Sequence, residues 1–321
     1  MSDWKDLKSS VFSLALKLRD RSKKITLPFF DKVPLYDVAL FFWKGIVYGS
    51  ITTRASAVAF NFILAMLPAI IFVFALIPYV PIKDFQTELL DLIQNFVPEN
   101  AYLQIRGTVE DIISIQRGGL LSVGFFAAIF FASNGIDAII SAFNATVHAM
   151  ETRSWINQRV IALFLVLIMF LLMATGISLI TIGQAALNYL VDLGILRKDF
   201  TYYMLLSVKW LIICALFFFS SAFLFYFAPA KKSKFRFISA GGTLATVLVI
   251  ITSLAFSYYI NNFGSYNKLY GSIGTLAVVM VWLYFNSLIL LVGFELNVSI
   301  NTARESSHEF SAEEVHKEDL I

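Results

Sequence analysis

Of the ionisable side chains that stand inside or at the edge of long apolar stretches, where a charge is expensive, three are the first to weigh for chemistry: Arg54, Asp137 and Glu295. If those stretches cross a bilayer, each charge costs roughly 2.5–3.5 kcal/mol on insertion scales, so it is retained only where it is paired or used. Asp137 lies a few residues past the middle of its run, with Asn134 and Ser141 three and four residues away on the same helical face. That face is too polar for lipid and is expected to line a bundle interior or a wet cavity. Glu295 lies near one end of the last run and Arg54 enters the first at the same level. Arg54 is expected to pair with Glu295, with Asp137 as the alternative partner. Two uses stay open for these groups: an ion pair that fixes helix packing, or polar groups lining a transport path. Were a proton or ion coupled to transport, Asp137 is the natural carrier. Asn61, Asn144, Gln184, Asn286 and Asn297 add interhelical hydrogen-bonding capacity, worth about 0.6–2 kcal/mol per contact in membranes.

Other chemistry finds no residues to carry it. The three histidines, His148, His308 and His316, are too few and too scattered to hold the metals of a zinc-dependent ribonuclease. There is no Gly-x-x-x-x-Gly-Lys-Ser/Thr phosphate loop and no Gly-x-Ser-x-Gly nucleophile elbow. The single cysteine, Cys214, sits in an apolar run and reads as a small buried residue. No enzymatic activity, metal or cofactor is expected.

The elements that must position the polar groups follow from composition. Hydrophobic residues make up 58% of the 321, charged residues 15%, and mean hydropathy is +0.75. A soluble core cannot absorb so much apolar surface, whereas helices of about 20 apolar residues suit a hydrocarbon solvent. The sequence predicts an all-α, polytopic transmembrane helical bundle of about six spans, at 55–80, 120–147, 160–191, 203–228, 237–260 and 273–300, within a bundle region 35–302. Residues 1–34 read as a basic amphipathic segment, lying on an anionic leaflet or docking a partner; a signal peptide is not expected there. Residues 35–53 read as an elbow helix, in which Gly45 and Gly49 allow close approach, as Gly241, Gly242 and Ala245 do in the fifth span. Two amphipathic helices within 83–117 are expected to cap the outer mouth, or to form a surface hairpin there. The acidic tail, 303–321, is expected to be disordered. Pro68 must break a backbone bond in mid-span, which gives a kink that is static or that bounds a cavity.

Six spans put both ends of the chain on one side. Eighteen Lys and Arg lie on that side against six on the other, which predicts cytoplasmic termini in a bacterial inner (plasma) membrane. The net charge of +3 implies no nucleic-acid partner.

Four ordered motifs carry a family resemblance. They are Arg54-Ala-Ser-Ala-Val-Ala-Phe-Asn with Leu67-Pro68; Ser133-Asn134-Gly135-Ile136-Asp137-Ala138 with Asn144; Tyr226-Phe227-Ala228-Pro229 with the Lys-rich turn after it; and Tyr270-Gly271-Ser272-Ile273 through Trp282-Leu283-Tyr284 to Gly293-Phe294-Glu295-Leu296-Asn297. Over 35–301 the chain resembles the YihY/BrkB family, long mislabelled ribonuclease BN. It departs from the family pattern at Phe60, where Tyr is frequent, and in its acidic tail. The resemblance implies a six-span inner-membrane bundle with cytoplasmic termini and no settled activity; members have been suggested as transporters, some of them tied to movement of envelope lipids or lipopolysaccharide precursors.

The leading expectation is a transporter-like protein that moves a lipid, a lipid-linked intermediate or another amphipathic solute, with membrane lipids around it. The rival is a scaffold that organises the envelope through protein partners. An intramembrane enzyme lacks any acid–base or metal constellation. A wet or lipid-open interior favours transport, and a solid one favours the scaffold.

Overall fold

The computed structural model describes residues 33–79, 118–146, 153–195, 199–230, 237–262 and 265–318, with Thr26, Gly107 and Arg197. Seven α-helices fill these stretches: α1 (Leu35–Tyr48), α2 (Ile51–Leu76), α3 (Gly118–Asn144), α4 (Trp155–Asp192), α5 (Phe200–Phe227), α6 (Ala240–Asn262) and α7 (Ser265–Glu318). No strand occurs among the described residues. The amphipathic segment 1–34 (apart from Thr26, Val33 and Pro34) and the cap helices of 83–117 lie outside them.

Helices α2 to α7 are each long and apolar enough to cross a membrane. A helix rises about 1.5 Å per residue, so even 20 apolar residues cover a core of about 30 Å; the 38 residues of α4 exceed that and leave length for tilt or protruding ends. The expected boundaries shift by a few residues. The first span starts at Ile51 and passes through Pro68 as one helix before a 3-10 turn at Ile77–Tyr79. The fifth begins at Ala240, three residues later than expected.

The tail departs from expectation: α7 runs on as a helix to Glu318 where a disordered segment was predicted. Nucleation is the costly step in helix formation, and a segment continuing from a finished span avoids it. Ala, Glu and Lys, frequent in this tail, are also strong helix formers.

The six spans form a closed ring. Each packs on its successor in the chain, and α7 returns to pack on α2, while α1 lies against α7. Water-driven association is absent in lipid, so such contacts rest on close packing and hydrogen bonds. Gly241 of α6 and Gly293 of α7 supply one: a Cβ on Gly241 would strike the Gly293 carbonyl. The joint between α1 and α2 turns at Ser50, whose backbone is left-handed (φ 48°).

Burial is concentrated at the end of the ring where the chain enters and leaves, here the terminal end. In α2 the buried residues are Ile51, Ala55, Val58 and Ala59, and beyond them only Ala65 and Ala75. In α3 they run from Ser133 to Phe143, with Gly124 alone nearer the far end. Phe143 of α3, Phe225 of α5 and Phe294 of α7 meet at this end from three alternate helices. Phe143 stacks on Phe294 at 4.0 Å between centroids and meets Phe225 edge-on at 5.6 Å.

Candidate functional site

Beside these three rings sits the buried carboxylate of Glu295, 1% exposed. The Thr146 hydroxyl donates to it, 2.8 Å from Oε2 and 3.0 Å from Oε1. Arg54 approaches from the first turn of α2, with Nη2 3.7 Å from Oε2, and its side chain is 10% exposed. That separation is an ion pair without a hydrogen bond. The guanidinium instead donates through Nη1 to the Ala142 carbonyl at 2.7 Å, and its Nε and Nη2 have no hydrogen-bond partner among the described residues. At an effective dielectric near 20 the charge attraction is about 4 kcal/mol gross, which mainly offsets the desolvation of two buried ions. Gly45 of α1 packs directly on the group, since a Cβ there would collide with the Glu295 carboxylate.

Asp137 is placed elsewhere. Its Oδ1 accepts a hydrogen bond from Gln158 Nε2 of α4 at 2.8 Å, and the same amide reaches Ser141 Oγ at 3.0 Å. Asn134, on the same face, accepts from Arg159 Nη1 at 2.7 Å. Helix α3 therefore presents two sides: one meets α2 and Arg54 through the Ala142 carbonyl, and the other carries Asp137 toward α4. Among the described residues no ion pair joins Asp137 to a cation.

Two of the remaining polar candidates, Asn144 and Asn297, fix the backbone at the terminal end. Asn297 Oδ1 accepts from the Gly241 amide at 2.8 Å while its Nδ2 donates to Ser239 Oγ at 2.9 Å, which satisfies one of the otherwise orphaned amides at the start of α6. Asn144 Oδ1 accepts from the Ala230 amide at 2.8 Å. Arg153, which sequence reasoning counted only as a topogenic charge, donates to the Phe227, Ala228 and Pro229 carbonyls beyond the end of α5; partial burial lowers its pKa from the ordinary arginine value. Among the described residues Asn61 and Asn286 bond to carbonyls one turn back in their own helices, at Ala57 and Trp282, and Gln184 bonds to Asn188 of its own helix, so none of the three forms the expected interhelical contact there. Sequence reasoning missed Thr146, Gln158 and the polar role of Arg159. All three are neutral or lie at span ends, where polarity is ordinary and gives no signal. Among the described residues no three of His, Cys, Asp and Glu converge to hold a metal.

A closed ring of six apolar helices, each long enough to cross a bilayer, defines a multi-pass helical membrane protein. The chain belongs to the virulence factor BrkB family, whose model matches residues 42–317. It is 28% identical to a ribonuclease-like protein, YfkH, of Bacillus subtilis (strain 168), over 79% of this chain and 91% of the relative. It is 25% identical to a UPF0761 membrane protein of Aliivibrio salmonicida (strain LFI1238), over 85% and 88% respectively. A UPF0761 membrane protein of Haemophilus influenzae (strain 86-028NP) is 23% identical over 85% of this chain and 98% of its own length. No solved structure matches the chain.

Proposed function

We propose that this protein is transporter-like and moves a lipid, a lipid-linked intermediate or another amphipathic solute across or out of the bacterial inner membrane, with both termini in the cytoplasm. One observation carries the reading: the ring of spans is drawn shut at its terminal end, while burial among the described residues thins toward the other end. Phe143, Phe225 and Phe294 fill the centre there, and the Arg54–Glu295 pair with Thr146 ties α2, α7 and the end of α3 around them. Spans held together at one end by aromatic packing and an ion pair fit alternating access, in which a reversible contact opens and re-forms.

The ribonuclease wording belongs to the relative that carries it. Three histidines, two of them in the tail, give this chain nothing with which to build such a centre. The close packing around Glu295 favours the scaffold reading, and one experiment separates the two. Purified protein is placed in liposomes and the distribution of labelled lipid and candidate solutes between leaflets is followed. Movement that is lost in Arg54→Ala, Glu295→Gln and Asp137→Asn, each checked for folding, supports transport. Unchanged distributions with a folded protein, together with full complementation of a deletion phenotype by the same variants, support the scaffold.

A further inference from the structure

The groove between α3 and α4 holds polar groups that the closure at Glu295 does not use. Arg159 is fixed from two directions: Nη1 donates to Asn134, and the guanidinium lies over the Phe130 ring, 4.8 Å from its centroid. Among the described residues one of its five donors is thereby engaged, and the side chain is half-buried, open where Arg54 is sealed. Asp137 is also half-buried and accepts one bond, at Oδ1. The two charges are thus each anchored by a neighbour on the opposite helix. Asn134 and Asp137 are three residues apart, so their anchoring points are roughly 5–6 Å from one another.

The surroundings belong to the membrane. Phe130, Trp155 and Val160 flank the groove at 52%, 77% and 60% exposure, the surface lipid tails would cover. Trp155 is the first residue of α4, and Arg159 follows one turn later, at the depth where aromatic and basic side chains meet headgroups.

We propose that this groove binds the headgroup of a zwitterionic phospholipid with a primary ammonium, its phosphate on Arg159 and its ammonium on Asp137. Phosphate favours a preorganised guanidinium. A phosphate and an amine joined by two carbons are on the scale of the one-turn separation between Asn134, which holds Arg159, and Asp137. Charge complementarity selects the class: a glycerol headgroup brings hydroxyls but no positive charge to Asp137, and a quaternary ammonium has no N–H to donate to it. The acyl chains would lie over Phe130 and Val160. The inference deepens the proposed function by naming a lipid class, yet binding is measured without movement.

Native mass spectrometry of the purified full chain, titrated separately with phosphatidylethanolamine, phosphatidylcholine and phosphatidylglycerol, tests it. The wild type should retain phosphatidylethanolamine about tenfold better than the other two, the worth of one charge-assisted hydrogen bond. Asp137→Asn should remove that preference and still hold phospholipid; Arg159→Gln should weaken retention of all three, with partial recovery in Arg159→Lys. Equal retention of the three lipids by the wild type overturns the inference without any variant, as does unchanged selectivity in folded Asp137→Asn. Competition by soluble glycerophosphoethanolamine at equal concentration overturns the assignment to a membrane lipid. A chain that binds selectively and moves no lipid in liposomes keeps this site and loses the proposed transport; movement without selectivity does the reverse.

Discussion

Thr146 and Glu295, 149 residues apart in sequence, are joined by a buried hydrogen bond from the threonine hydroxyl to the carboxylate, 2.8 Å from Oε2. The two neighbours act differently: Thr146 donates a hydrogen bond to the carboxylate, and Arg54, at 3.7 Å, balances its charge. Glu295→Gln would leave the Arg54 guanidinium buried with the Ala142 carbonyl as its remaining partner. We predict a loss of about 3–5 kcal/mol, the usual result of breaking one side of a buried pair. Thr146→Val, which keeps shape and loses the donor, should cost about 1.5–3 kcal/mol. Both are read from unfolding of the purified protein in mixed detergent. Arg54→Ala and Glu295→Ala together should cost clearly less than the sum of the two singles; strict additivity would remove the pair from the account. A charge-swapped double variant no better than either single would count against it as well.

The aromatic plug makes a separate prediction. Phe143 and Phe294 are buried and stacked at the centre of the terminal end. Phe143→Ala should cost about 3–5 kcal/mol through the cavity it leaves, and it should open the ring to small solutes. Efflux of a trapped dye from liposomes bearing the folded variant should exceed that of the wild type. Phe285→Ala, at an exposed position on α7, should leak no more than the wild type. Equal efflux for Phe143→Ala and Phe285→Ala would show that the plug does not close a path.

Hydropathy made the six spans legible because the demand for about 20 apolar residues per crossing is strict and local. The expectation that Arg54 meets Glu295 came from cost: two rare charges at one depth, which the fold places 3.7 Å apart. The neighbours of Asp137 were beyond this reasoning. Its polar face is readable from the spacing of Asn134, Asp137 and Ser141, but which helix the face meets depends on the order of packing around the ring, and α4 rather than α2 lies there. Thr146 was hidden for another reason. A hydroxyl just beyond a span costs nothing to place, so its type and position carry no trace of the carboxylate it holds. Asn61 shows the converse, a polar residue in a span that needs no partner helix because the Ala57 carbonyl one turn back accepts its amide.

Gly45 is predicted to matter through space. It packs against Glu295, where a methyl group would overlap a carboxylate held by Thr146. Gly45→Ala should destabilise by about 1–3 kcal/mol, as overpacking does, despite the better helix propensity of alanine. Glu295→Asp, one methylene shorter, should recover part of that loss in the double variant. If the double variant is as unstable as the two losses combined, the contact is not the cause.

Ser50 offers a change in the other direction. Its left-handed backbone, φ 48° and ψ 38°, joins the elbow helix to the first span, and its side chain makes no capping hydrogen bond that would repay the conformation. An L-residue in this region costs roughly 1–2 kcal/mol, while glycine adopts it freely and loses some of the gain to its more mobile unfolded chain. Ser50→Gly should therefore stabilise by about 0.5 kcal/mol net, and Ser50→Val, whose branched side chain fits left-handed backbone worst, should destabilise by more than about 1 kcal/mol. Both are compared with the wild type in the same unfolding assay. A Ser50→Val variant as stable as Ser50→Gly would mean that the joint between the elbow and the first span is not held in this conformation.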